Sequence, residues 1–441
     1  MTRRMALGWL AAAGLCPGCG VRRDSRRLVR VSNWGGASEE TEFTRNISYL
    51  HREFERRNPQ LRLEVEKIPG SQEYATKLVF SHISGAMPES PAMDASSLAN
   101  FAEGGLLADL RGLEPDPGFS WDDYWPNVVE VFASGTEQYA VPLDFTPIVL
   151  YYNRAHFRGA GIEPPTGAWS YDQFLAAAQE LTVRDRYGLE MPNWIPGWIT
   201  WLWNDGGDVL DPTGRRGSGA LDGEASTRAV QWIADLFLRH KVAPTLSEAE
   251  AAGIDYFAKG RASMQVSGHW ELVGLQSASG IKMEDIGVMP VPSRMGGASV
   301  TVMYAAGQAV AAQAKRPEDP WKFVQFWTSR EAQEKYNASG IAVCGRLDVA
   351  RAAAAKRPTY MDGKSTRTAT DEEFAAHAMR ERAFVEIVPS CRPPWGASVN
   401  DYVAVEQICQ SAMDKVLRNH VPVETAVQAA AREIDRVLGQ R

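Results

Sequence analysis

The stretch that most restricts the fold runs from residue 28 to residue 66. "LVRVSNW" (Leu28–Trp34) sets apolar residues between single polar ones and is followed by Gly35 and Gly36, the pattern of a short buried strand ending in a turn. Phe43, Ile47, Leu50 and Phe54 then recur at spacings of four, three and four, which places them on one face of a helix that Asn58 and Pro59 terminate. Beyond it Leu61, Leu63 and Val65 alternate with charges, the period of a strand. Strand, helix and strand over this length form a βαβ unit with a right-handed crossover, so the chain begins as an α/β fold.

The later segments extend that pattern. "SQEYATKLVFSHISG" predicts a helix, and "FAEGGLLADL" a helix ending in a turn. "YAVPLDFTPIVLYYN" is extended but carries Pro142 and Pro147, which suits a strand crossing between two bodies better than a central strand of one sheet. Ser170 caps a helix whose Phe174, Ala178 and Leu181 face one way. "STRAVQWIADLFLRH", "PEDPWKFVQFWTSREAQEKY" and "VETAVQAAAREIDRVLG" are amphipathic, with Trp321 and Trp327 at helical spacing and therefore core. "MEDIGVMPVPS" and "VTVMYAAGQAVAA" read as strands, and "LDPTGRRGSGALDGE" is the most linker-like piece. At 441 residues the chain is long enough for two domains with well-filled cores.

The N-terminus reads as an address. Arg3 and Arg4 precede an apolar run from Met5 to Leu15, too short for a hydrocarbon core that takes about 20 residues but suited to a secretory signal. Pro17, Gly18, Cys19 and Gly20 resemble the lipobox of a bacterial lipoprotein, which implies cleavage before Cys19 and a lipid on its sulfur; Cys16 is the other candidate. No further ligands accompany this cysteine pair, so a zinc site is not expected. A formal charge of −7, with no basic run beyond "RRDSRR", argues against nucleic acid as the main ligand. An exported compartment permits one disulfide among Cys344, Cys391 and Cys409, and three reduced cysteines fit equally well.

No nucleophile elbow or H-E-x-x-H motif occurs, and the seven histidines are scattered. "DGKST" (Asp362–Thr366) lacks the glycine a phosphate loop needs, since Pro358 stands there. No catalytic residue, metal or cofactor is expected.

Several strings together, in order, resemble one family. They are "FERRNPQLRLEVE", "GGLLADL", "YAVPLDFTPIVLYYNRAHFRGAGIEPPTGAWSYDQFLAAAQELT", "WLWNDGGDVLD", "FAKGRASMQVSGHW" and "DPWKFVQFWTSREAQEKYNASG". The chain is similar to the extracellular solute-binding proteins of ABC importers, in the large sugar-binding, maltose-binding-like group. The resemblance implies a periplasmic-binding-protein fold: two discontinuous α/β lobes joined by a hinge of crossing strands, with the ligand in the cleft between them. On that reading residues 1–19 are the lipoprotein signal and 20–27 a tether. Residues 28–145 and 301–345 form the first lobe, and 146–300 and 346–441 the second. The implied protein is an exported, lipid-anchored monomer that binds a carbohydrate and hands it to permease subunits. A polyol or glycerol phosphate is the alternative cargo, and a sensor receptor or a glycosidase the alternative role.

Sites for sugars pair aromatic faces with carboxylates, amides and arginines. The chain has fourteen tryptophans, many beside Gly, Pro or Asn. The candidate platforms are Trp34, Tyr74, Trp194, Trp198, Trp203, Trp270, Tyr304 and Trp395, and the candidate polar partners are Asp94, Ser96, Asp144 and Arg346. Family position assigns Asp94, Ser96 and Arg346 to the cleft. A phosphate ligand would need several converging arginines, and only Arg346 and Arg392 offer themselves, which favours a neutral sugar.

Overall fold

The computed structural model describes residues 24–34, 42–68, 71–164, 167–338, 340, 342–362 and 365–439. The leader with Cys16 and Cys19, the first half of the tether (residues 20–23), and the glycine turn after Trp34 lie outside the described residues.

The βαβ start is present. Strands β1 (Arg27–Trp34) and β2 (Leu61–Ile68) pair in parallel, Arg27 opposite Leu61 and Trp34 opposite Ile68. The helix Glu42–Arg57 connects them, and its Phe43, Ile47, Leu50 and Phe54 are buried against Val29, Val31, Phe323 and Trp327. Next to β1 runs the segment leading into β3 (Ala92–Asp94), joined through Ser32 N–H to the Ser90 carbonyl at 3.1 Å.

Two sheets follow from the long extended stretch. Strand β4 (Ala140–Pro147) passes through Ile148 directly into β5 (Val149–Asn153), and the two strands belong to different sheets. In one sheet β5 lies between β7 (Ala262–Ser267), which also pairs with β6 (Tyr187–Glu190), and β8 (Ile286–Met289). In the other, β4 lies between β9 (Thr301–Ala309) and the short β10 (Val343–Cys344), while β9 also pairs with β3 and with β11 (Cys391–Arg392). The crossing between bodies is thus as expected, but β4 is also an inner strand, with partners on both sides. Its prolines are tolerated because Pro142 sits at a register shift against Ala306 and Gly307, and Pro147 is the last residue before the switch.

The chain passes between the sheets at Ile148 and again on entering Thr301, and these two places lie side by side. Ile148 N–H donates to the Val302 carbonyl at 3.2 Å, and the Thr301 hydroxyl donates to the Ile148 carbonyl at 2.5 Å. Thr301 is in turn registered with Cys391. Around this seam the apolar core gathers into large clusters. One surrounds the helix Ile195–Asn204 and includes the helices Tyr402–Asn419 and Val423–Leu438; another joins the inner faces of β3, β4 and β9 to helix Asp371–Ile387.

Two details refine the sequence reading. The linker-like stretch 210–224 is no linker: the Gly217 and Ser218 N–H groups donate to Asp435 at 2.7 and 3.1 Å, and Gly217 abuts Ile434 of the last helix. Cys344, Cys391 and Cys409 are all free thiols.

Local signals and tertiary packing carry different weights. Ser170 forms a capping box with Gln173 at the start of helix Tyr171–Leu181, while Trp201 is fully buried against Tyr171 and Phe174. Replacing Trp201 by Ala should cost about 3–5 kcal/mol in urea denaturation. Ser170→Ala should cost only about 1 kcal/mol by the same measurement.

Candidate functional site

Trp194, Trp270 and Tyr304 come together from three distant segments. Trp194 stands at the N-cap of helix Ile195–Asn204, Trp270 follows β7, and Tyr304 lies in β9 just past the seam. The Trp194 ring centroid is 5.7 Å from that of Trp270 and 5.9 Å from that of Tyr304, and all three side chains are only partly buried. Each ring keeps part of its surface exposed, and an exposed aromatic face is the surface on which a sugar ring stacks.

Carboxylates border the trio. Burial, with the Glu406 and Asp94 carboxylates nearby, pushes the Tyr304 hydroxyl well above its usual range, so it remains a neutral donor. Asp94 ends β3 and its Oδ1 accepts from Ser96 N–H at 2.8 Å and from the Ser96 hydroxyl at 2.6 Å, which fixes the carboxylate as an acceptor. The turn Trp395–Ala397 closes down on this same turn: a Cβ on Gly396 would sit 1.8 Å from the Ser96 carbonyl oxygen, so glycine is required there. One step further Asp401 N–H donates to the Asn100 side chain at 2.8 Å.

A second cluster sits beside Trp395. Its indole N–H donates to Asp208 at 2.8 Å, Arg392 pairs with the other oxygen of Asp208 at 2.9 Å, and the Arg392 guanidinium lies 4.2 Å above the Trp203 ring. Trp203 therefore spends its face on an arginine.

Other sequence candidates are committed within the fold. Trp198 is buried in the core beneath the helix, and Tyr74 is buried with its hydroxyl on Ser32. Arg346 is held by Asp123 at 3.1 Å and Asp348 at 3.0 Å above the Tyr124 ring. Trp34 is the last residue of β1. Residues the sequence reading passed over include Tyr402 and Glu406, both buried because a spacing of four puts them on one face of their helix. A carboxylate on the buried face of an amphipathic helix was the available signal.

Asp144 is enclosed in β4, where its carboxylate accepts from the Tyr336 hydroxyl at 2.7 Å. Burial raises its pKa to about 7; the Tyr336 hydrogen bond opposes the rise and the Asp94 charge adds to it. With the folded value above the unfolded one near 3.8, this group's contribution to stability is full below about pH 4 and is lost as the pH climbs through about 7. Glu190 and Glu271 are likewise raised to about 7, so the test must be a difference. Asp144→Asn should gain melting temperature relative to the parent chain between pH 4.5 and pH 8, as read by calorimetry at both values.

Comparison with known proteins places this arrangement in a family. Residues 37–334 match the bacterial extracellular solute-binding proteins. An uncharacterized lipoprotein in the oleD 5′ region of Streptomyces antibioticus is 34% identical over 139 residues, 30% of this chain and 29% of that one, so the match spans under a third of either. The multiple sugar-binding protein of Streptococcus mutans is 22% identical over 331 residues, 70% of this chain and 74% of its own. Among solved structures, the ABC substrate-binding protein Lmo0181 of Listeria monocytogenes, in complex with cycloalternan, superposes with a TM-score of 0.78 at 20% identity, covering 94% of this chain and 100% of that one. A family match over most of the chain, joined to two sheets linked by crossing strands with aromatics at the seam, means that the chain belongs to the bacterial extracellular solute-binding protein family.

Proposed function

We propose that the protein is a reversible receptor for a neutral carbohydrate, which it hands to an ABC permease. The observation that carries this reading is the trio of Trp194, Trp270 and Tyr304 at the seam, with Asp94 and Glu406 beside it. Ring faces take the apolar side of a pyranose and carboxylates accept its hydroxyls. The lobes are 28–145 with 301–345 and 146–300 with 346–441, and they close over the sugar by bending where the chain crosses at Ile148 and Thr301. The multiple sugar-binding protein of Streptococcus mutans and the cycloalternan complex from Listeria monocytogenes support a sugar as cargo.

A phosphate-bearing cargo fits less well. Arg346 and Arg392, the arginines that would meet it, are already neutralised by Asp123, Asp348 and Asp208. Binding makes and breaks no bond, and the Asp94 carboxylate, its Oδ1 already accepting from Ser96, serves as a fixed hydrogen-bond acceptor. The mature chain is held to the outer face of the membrane by a lipid on Cys19, a reading that the Streptomyces antibioticus lipoprotein supports. No helix among the described residues is long and apolar enough to cross a membrane.

A thermal-shift screen against mono-, di- and oligosaccharides, polyols and glycerol phosphates tests the cargo. A saturating neutral sugar, recovered unchanged, should raise stability by about 2.7 kcal/mol at a hundredfold excess over its Kd; consumption of the hit, or a glycerol phosphate as the sole hit, would overturn the reading. Trp270→Ala should weaken that binding by about 1–3 kcal/mol with little change in melting temperature. For the anchor, Cys19→Ala should leave the protein unprocessed or released from the membrane fraction, and normal processing of the variant into a membrane-bound product would argue against it.

A further inference from the structure

The helix Ser71–Ile83 is apolar on two opposite sides. Tyr74 and Leu78, four apart, are buried against the sheet, where the Tyr74 hydroxyl meets the Ser32 side chain. On the other side Val79, Phe80 and Ile83 are exposed, Phe80 by 67% and Ile83 by 75%. Other exposed large apolar side chains among the described residues, such as Val183, Met295 and Met379, stand singly. A lone one needs no explanation, but three that share a helix face mark a surface that meets a partner.

This face lies where the chain leaves its leader. Leu28, Arg30 and Ser32 alternate along β1 onto the side of the sheet that the helix covers, because Ser32 meets Tyr74. The helix runs back along the strands: Tyr74 stands at Ser32, whereas the carbonyl of Ala86, just past the helix end, accepts from the Arg30 guanidinium at 3.1 Å. Leu28, also exposed, is one pleat nearer the start of the strand. Asp24 is fixed beside that start by Arg26 at 2.7 Å and by Arg62, the residue registered with Leu28, at 3.7 Å. From Asp24 back to Cys19 is five residues, at most about 18 Å of extended chain, and Arg22 and Arg23 in that interval carry positive charge that anionic lipid attracts.

We propose that Val79, Phe80 and Ile83, with Leu28, form a membrane-contact face that enters the boundary between headgroups and acyl chains of the bilayer. It rests on the Cys19 lipid proposed above. A tether this short holds the face close to the bilayer at all times, so a contact too weak to recruit a free protein still orients an anchored one. The same reach favours lipid over a protein occupant, since the bilayer is always beside an anchored chain and a permease is met only on encounter.

The test uses the full chain, made in a bacterial host that processes lipoproteins and reconstituted into vesicles of phosphatidylethanolamine and phosphatidylglycerol that contain a phospholipid with a diazirine on its acyl chain. After photolysis, peptide mass mapping should find the label on residues 78–86, and the mass of the N-terminal peptide should show the lipid on Cys19. Phe80→Ser combined with Ile83→Ser should lose that label yet keep the lipid, the membrane fractionation and the melting temperature of the parent chain, since both side chains are exposed. A lipidated chain unlabelled at residues 78–86 would leave the face to a protein, the permease or a second copy, and labelling undiminished in the double variant would put the contact on other residues. Either would overturn the proposal with the anchor still standing, whereas a Cys19 without lipid would overturn the anchor and the proposal with it.

Discussion

The structure depends on the seam where Ile148, Thr301 and Cys391 lie side by side. A strand that leaves one sheet and enters another must satisfy its backbone polar groups at the switch, because a buried carbonyl or N–H without a partner costs free energy comparable to a lost hydrogen bond. Here Ile148 is satisfied on both sides, by the Val302 carbonyl and the Thr301 hydroxyl. Three short contacts between extended segments resist separation but offer little resistance to bending, since no helix crosses the seam at these residues. The register across β3, β9 and β4 sets Asp94, Ala306 and Asp144 opposite one another, and Tyr304, two residues before Ala306, projects to the same face. The site is thereby assembled from the ends of strands whose positions the seam itself determines.

How much of this could be read from the chain depends on whether a feature is local. The periodicity of Phe43 to Phe54 and the Ser170 cap are local, and the structure has both as expected. Pro142 and Pro147 correctly indicated a crossing, but not that β10, far along the chain, would pair with the same strand. The tryptophans between 194 and 203 show where spacing was informative and underused. Trp198 and Trp201, three apart, fall on one buried helical face, whereas Trp194 precedes the first turn and keeps part of its surface. Trp203 faces another way and is covered by Arg392, a residue nearly two hundred positions later that no local pattern connects to it.

Charge shows the same division between composition and arrangement. The net charge of −7 excludes few small ligands, because what a site selects is set by which charges remain unpaired within it. Asp205 has a fully buried carboxyl, yet Arg228 and Arg294 both reach it at 2.7 and 2.6 Å, and it acts as structure. Arg346 and Arg392 look from the sequence like anion binders, and in the fold each is answered by an aspartate.

Arg380 extends the same pattern into the core. It is almost fully buried, gives two hydrogen bonds to the Met283 and Ile286 carbonyls, and has Glu381 beside it in sequence, whose carboxylate lies 2.9 Å from His269 Nε2. The arginines that the sequence offers to an anion are thus spent on the protein's own groups, which leaves hydroxyl acceptors and ring faces to decide what the site holds.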